Sequence, residues 1–254
     1  MLRVKWPRCW HRARQRPTSR VISPGLRCGR RDDARMMQFR TKEEQVADYL
    51  REGIISGRIP RGARLKQQEI ATMLKTSITP VREALKLLAA EGYVLGDSYR
   101  GATVAPFDIE ASREVLNLRI LLETQLVRAA AERVSSAEIA ELKVLASEFA
   151  TAFAAGDNET ARAANYRFHH RLFEIARMPQ TLHFVQILWA RYPFDLINRL
   201  KGRVGRASDE HDDLLAALIA GDAAHAMLAT RQHIEAGFQE LHGTLNQTDN
   251  ASTG

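Results

Sequence analysis

The sequence predicts a mainly α chain in two parts: an N-terminal winged helix-turn-helix, then a C-terminal all-α antiparallel helical bundle. Three observations carry this prediction. Residues 65–94 show a short helix, a tight turn and a second helix that opens with small polar residues and proline. Residues 96–106, GDSYRGATVAP, follow as a basic β-hairpin. After Pro106 the apolar spacing is helical, with no convincing run of strand character. A helix of this kind with a wing behind it is built to enter the major groove of DNA.

Each element has its own signal. The first helix opens at Thr41, an N-cap with Glu44 at the capping-box position. Val46, Leu50, Gly53 and Ile54 recur at helical spacing, Gly57 ends the helix, and Pro60 and Gly62 turn the chain. The second helix covers about residues 67–74, with Ile70, Met73 and Leu74 on one face. The third starts at Ser77 or Thr79 and carries Pro80 in its first turn, where a missing N–H costs nothing. Val81, Ala84, Leu85 and Leu88 form its apolar stripe, and Gly92 closes it. Two short strands, 93–95 and 102–105, flank the wing at 97–101. Beyond Pro106, helices are expected at 108–133, 136–155, 159–177, 180–201, 206–220 and 222–243. Ser135, Asp157, Pro179, Gly205 and Asp222 punctuate them, and such short connections imply antiparallel neighbours. The domains therefore run over 38–106 and 107–245, between a tail at 1–37 and a frayed polar end at 246–254.

The net charge of +7 is unevenly spread. Residues 1–35 hold 11 Lys and Arg against 2 Asp and Glu, a net of +9. Residues 40–107 hold 11 against 8, and residues 108–254 hold 15 against 20. A mildly basic module joined to an acidic one points to nucleic acid in front and a different partner behind. Both cysteines, Cys9 and Cys28, lie in the tail, so the body has neither a disulfide framework nor a thiolate zinc site. No stretch approaches the roughly 20 apolar residues that span a bilayer, and the tail lacks a secretory h-region. Membrane and secreted classes are thereby disfavoured. Pro7, Pro17, Pro24, Gly25 and Gly29 interrupt any helix in residues 1–37. That stretch is expected to be either a basic disordered arm or sequence upstream of a true start at Met36 or Met37.

The third helix has an apolar back for its neighbours and a polar end for bases. Ser77, Thr79 and Arg82 lie on its exposed first turns, where Arg82 suits guanine O6 and N7 or a phosphate. In the wing, Arg100 suits a narrow minor groove and Gly101 lets the backbone approach. Arg64 and Lys66, just before the second helix, suit phosphate contacts. The plainer reading of Arg82 is a surface pair with Glu83 or Glu91.

The bundle carries a second constellation. Asn165 and His169 are four apart and share a helix face. His211 is in register with Leu214, Leu215 and Leu218, and His233 has small neighbours at Ala226, Ala229, Thr230 and Gly237. Three imidazoles and one oxygen ligand make a divalent-metal site in a bundle core. The plainer reading is a set of hydrogen-bonded core histidines. His170 is expected to be exposed, and His225 and His242 to lack a supporting partner.

The segments SITPVREAL (77–85), EGYV (91–94), RGATV (100–104) and GRIPRGARL (57–65) together resemble the GntR family of bacterial transcription regulators. NYRFH (165–169), EHDDLLAALIAGD (210–222), His233 and RILLE (119–123) resemble the FCD ligand-binding domain found on its FadR-like branch. The resemblance implies a homodimeric regulator, a repressor in the first instance, acting on a double-stranded DNA operator at the nucleoid of a bacterial cytoplasm. It adds Gln68, in the second helix, to the DNA-facing set. It implies metal-ligand roles for Asn165, His169, His211 and His233, with zinc first and nickel or manganese as alternatives. It places Arg119 at the effector cavity and implies a small carboxylate as effector, since an open metal position and a guanidinium both take carboxylate oxygens. There are departures. Ile78 stands where the family usually has Arg, Asn165 where many relatives have Asp, and Met178 where the domain commonly has Asn. Two rival classes remain: a metal-dependent hydrolase on the bundle, and an architectural DNA binder whose bundle only dimerises.

Overall fold

A computed structural model describes residues 41–96, 101–107, 111–192, 194 and 203–251. The head holds three helices and three short strands: α1 (Lys42–Ile55), β1 (Arg64–Leu65), α2 (Gln67–Leu74), α3 (Ile78–Ala90), β2 (Val94–Leu95) and β3 (Ala102–Val104). The bundle holds α4 (Ser112–Ala131), α5 (Ser136–Ala154), α6 (Asn158–Ile175), α7 (Pro179–Ala190), α8 (Arg203–Ala220) and α9 (Ala223–Ala251). Among the described residues no helix is long and apolar enough to cross a membrane.

Local chemistry sets the helix starts. Thr41 accepts from the Glu44 amide at 3.3 Å and Glu44 Oε2 accepts from the Thr41 amide at 2.8 Å, closing the expected capping box. Ser135 and Glu138 do the same for α5, and Asp157 caps α6 through the Thr160 amide at 3.1 Å. The apolar stripe of α3 is buried as its spacing predicts, with Val81, Ala84, Leu85 and Leu88 all at 1 % exposure or less.

The sheet is antiparallel in the order β1-β3-β2. Thr103 is paired with Arg64 on one side and with Leu95 on the other. The strand β1 was not expected, because two residues are too short to show a period-2 pattern. Its pairing ties the start of α2 to the root of the wing.

Four helix bounds in the bundle differ from the sequence expectation by three residues or more. α4 starts at Ser112 rather than 108, with Ala111 as its N-cap. α7 stops at Ala190 rather than running to 201, with Arg191 as its C-cap. Pro193 follows two residues later, and the residue before a proline is pushed out of helical geometry. α8 starts at Arg203 rather than 206. α9 continues to Ala251, through the polar residues expected to fray, with no proline to interrupt it.

Head and bundle share one core. A single cluster of buried apolar side chains extends from Leu50, Ile70 and Leu85 in the head to Leu126, Phe168 and Val185 in the bundle. Polar contacts stitch the same seam. Arg61, in the turn after α1, donates to the carbonyls of Ala105 (3.1 Å), Ala190 (3.4 Å) and Tyr192 (2.9 Å). The Tyr93 hydroxyl donates to Gln186 O in α7 at 2.9 Å. Arg162 of α6 donates to Ser56 O, and Arg167 pairs with Glu52 at 3.1 Å.

Candidate nucleic-acid interface and ligand cavity

The exposed end of α3 is held by a buried ion pair behind it. Arg51 in α1 meets Glu91, the C-cap of α3, with its Nε and Nη2 atoms 2.8–3.0 Å from the carboxylate oxygens. Both residues are buried, so losing either would strand a charge away from water. Burial opposes the charge on Arg51, but the adjacent Tyr166, Tyr93 and Glu91 hold its guanidinium above its ordinary range. The orientation of α1 against α3 is thus fixed by charge as well as by packing.

On that frame Ser77 and Thr79 are exposed and Arg82 is half-buried. The Ser77 side chain makes no capping bond to α3. Glu91 accepts from Arg51, and Glu83 pairs with Lys86 at 2.9 Å. Arg64, Lys66 and Gln68 are exposed beside α3, with Lys66 also 2.7 Å from Glu69. Gly101 has φ +106°, a conformation L side chains rarely adopt, and an added Cβ would lie 3.4 Å from Arg64 Nε. Arg64 is therefore beside the root of the wing. Arg100 lies outside the described residues.

In the bundle, α6 and α8 bring His169 and His211 together, with their Nε2 atoms 3.2 Å apart. Two nitrogens at zinc-ligand distance from one ion would stand about 3.3 Å apart in a tetrahedral site. His233 in α9 lies beside them, its ring 4.8 Å from that of His169 and 6.0 Å from that of His211. Its Nδ1 is 2.6 Å from Glu210 Oε2, a carboxylate contact that leaves Nε2 to turn inward. Asn165 Oδ1 is buried with no hydrogen-bond partner. Among the described residues, no three His, Cys, Asp or Glu side chains converge on one point as a ready metal cage. His169 and His211 present two nitrogens at the spacing of a shared ion, with His233 beside them and Asn165 on the same cavity.

Arg119 is buried and already holds a carboxylate. Its Nε is 2.7 Å from Glu123 Oε1 and its Nη2 is 3.3 Å from Oε2, while Trp189 Nε1 donates to the same Oε1 at 2.8 Å. The rings of Tyr192 and Phe194 cover the guanidinium at 4.1 and 4.8 Å. Arg119, Glu123, Asn165, His169, Trp189 and His233 line one cavity of about 20 Å³, with Ile55 of α1 in the same wall. That space holds about one water. A larger groove of about 460 Å³ lies between α1 and the α5–α6 pair, but its Arg167 and Arg171 are matched by Glu52, Glu148 and Glu141.

Two histidine expectations are corrected. His170 is half-buried, 3.0 Å from Gln186, because it sits where α6 faces α7. His225 has a partner, Asp213 Oδ2 at 3.1 Å across the α8–α9 turn. The sequence reading also assigned no role to Glu123 or Trp189. The four-residue spacing of Arg119 and Glu123 was a usable signal; Trp189, 66 residues further on than Glu123, gave none.

A winged head with an exposed helix end, fused to a helical bundle that encloses a polar cavity, defines the class: a two-domain DNA-binding transcriptional regulator. Residues 42–104 match the bacterial regulatory proteins of the gntR family, and residues 114–236 match the FCD domain. The chain is 30 % identical over 184 residues to the HTH-type transcriptional regulator McbR of Escherichia coli K12, covering 70 % of this chain and 82 % of that one. The solved structure of E. coli McbR/YncC superposes with a TM-score of 0.71 at 25 % identity, over 82 % of this chain and 100 % of that one. The gluconate operon transcriptional repressor of Bacillus subtilis is 40 % identical over 80 residues, 32 % of each chain. The chain belongs to the gntR family of regulators and carries an FCD domain. Members of that family are transcription factors, which sets the hydrolase alternative aside.

Proposed function

We propose that this regulator is a homodimeric repressor released from its operator by a small carboxylate, with a divalent metal in the bundle. The observation that carries the reading is one cavity lined by Arg119 together with Asn165, His169 and His233. Zinc, or alternatively nickel or manganese, would be held by His169, His211, His233 and Asn165, and would supply a fixed positive charge facing the carboxylate. An amide oxygen at Asn165 gives a weaker ligand set than a carboxylate would. Repression is favoured by likeness to a relative named as a repressor. Two copies are favoured because one reading helix meets too few bases for useful specificity. Arg64, Lys66, Gln68, Ser77, Thr79, Arg82, Arg100 and Gly101 are the proposed DNA contacts.

A new carboxylate on Arg119 would compete with Glu123, which also accepts from Trp189. Trp189 sits in α7, and Arg61 of the head holds the carbonyls of Ala190, the last residue of α7, and of Tyr192 just beyond it. Ligand occupancy and head position thus share one helix, and the coupling is a free energy between two sites. An architectural dimer has no use for a buried oxygen left unbonded beside an Arg–Glu pair. The test is a thermal-shift screen of small carboxylic acids on the full chain, with and without chelator, followed by gel shifts on the gene's upstream DNA. An acid that raises the melting temperature, loses that effect with chelator and releases the DNA supports the proposal. Absence of any stabilising acid sinks the effector class, and an effect indifferent to chelator removes the metal.

A further inference from the structure

The reading helix carries one large apolar side chain at its leading end, outside the buried apolar cluster of the head. Ile78 is the first residue of α3, 36 % exposed, between the exposed Ser77 and Thr79. The core begins two residues further on, with Pro80 and Val81 buried. Ile78 is absent from the apolar clusters of the head. It is also four residues before Arg82, on the same face of the helix.

We infer that Ile78 sets operator sequence by packing on the 5-methyl group of a thymine. The edges of base pairs in the major groove present donors, acceptors and one apolar group, the thymine methyl. A recognition helix meets those edges with its N-terminal residues, where Ile78 stands. No charged or hydrogen-bonding group of Ile78 competes for phosphate or water. Four residues of helix rise about 6 Å, so the thymine lies within about two base steps of the group met by Arg82. The inference depends on DNA binding by the head and is independent of the effector reading.

The test starts with selection of a half-site from random duplex DNA by the full chain. Each thymine of the selected site is then replaced by deoxyuridine, which removes only the methyl group. One position is expected to weaken wild-type binding about fourfold per half-site, the factor for one buried methyl. Ile78→Ala should bind the two duplexes within about 1.5-fold of each other, while Thr79→Ser should keep the wild-type loss. Ile78→Arg should shift the selected base at that position from thymine to guanine. The inference is overturned if deoxyuridine affects wild type and Ile78→Ala alike, if Thr79→Ser abolishes the loss, or if Ile78→Arg selects an unchanged site.

Discussion

Replacing Arg61 with Ala removes the guanidinium that binds the reading head to the end of α7. Three carbonyl groups lose a donor: Ala105, Ala190 and Tyr192, at 3.1, 3.4 and 2.9 Å. Hydrogen bonds from a charged donor contribute about 1.5–3 kcal/mol each when buried. Arg61 is only half-buried, water can replace part of the loss, and the 3.4 Å contact is weak. A net destabilisation of about 2–3 kcal/mol follows, including the lost cation at a helix C-terminus. For a chain of this size that lowers the melting temperature by about 5–10 °C. Scanning calorimetry of the full chain is the assay, and a low-temperature shoulder should appear as the head begins to melt apart from the bundle. Arg61→Lys should recover only part of the loss, because one ammonium cannot serve three carbonyls in a fork. An Arg61→Ala melting curve superimposable on wild type would refute the argument.

Three further outcomes are expected. Arg51→Met should destabilise the chain by about 3–5 kcal/mol by stranding Glu91, and Arg51→Met with Glu91→Leu should recover most of it in urea unfolding; a double variant no better than the single one counts against the stranded-charge account. Glu123→Gln should tighten binding of a carboxylate that engages Arg119 about tenfold, or ~1.4 kcal/mol, by calorimetric titration, and unchanged affinity would show that Glu123 does not compete. Hydrogen bonds from the Thr160 side chain and amide hold the Asp157 carboxyl below its ordinary range. A lowered folded value gives stability present above the unfolded value and lost as pH falls through the folded one. The stability gap between wild type and Asp157→Ala should therefore close on acidification through that range, and a gap independent of pH would contradict the cap.

The head was largely legible because its signals are local. The Thr41–Glu44 box, Pro80 in the first turn of α3 and the 81, 84, 85, 88 stripe each lie within one turn or two of helix. The bundle cavity was legible only in part. His169 and His211 are 42 residues apart, and spacing along either helix does not show that their rings meet. Matching to the family pattern brought them together; the fold supplied the 3.2 Å. The end of α7 was misplaced because Phe194 keeps the apolar rhythm going past Pro193, and the rhythm outweighed the breaker. The role of Arg61, inside the GRIPRGARL segment, was not legible, because its acceptors are main-chain carbonyls, and a carbonyl has no signature in sequence.

Ile55 gives the cavity an unusual owner for part of its wall. One side chain lining the bundle's small chamber belongs to α1, a helix of the head. A chamber with room for about one water cannot admit an organic molecule while its lining stays put. On the proposed effector reading, a molecule larger than one water needs the lining to give, and part of that lining, Ile55, belongs to the head rather than to the bundle.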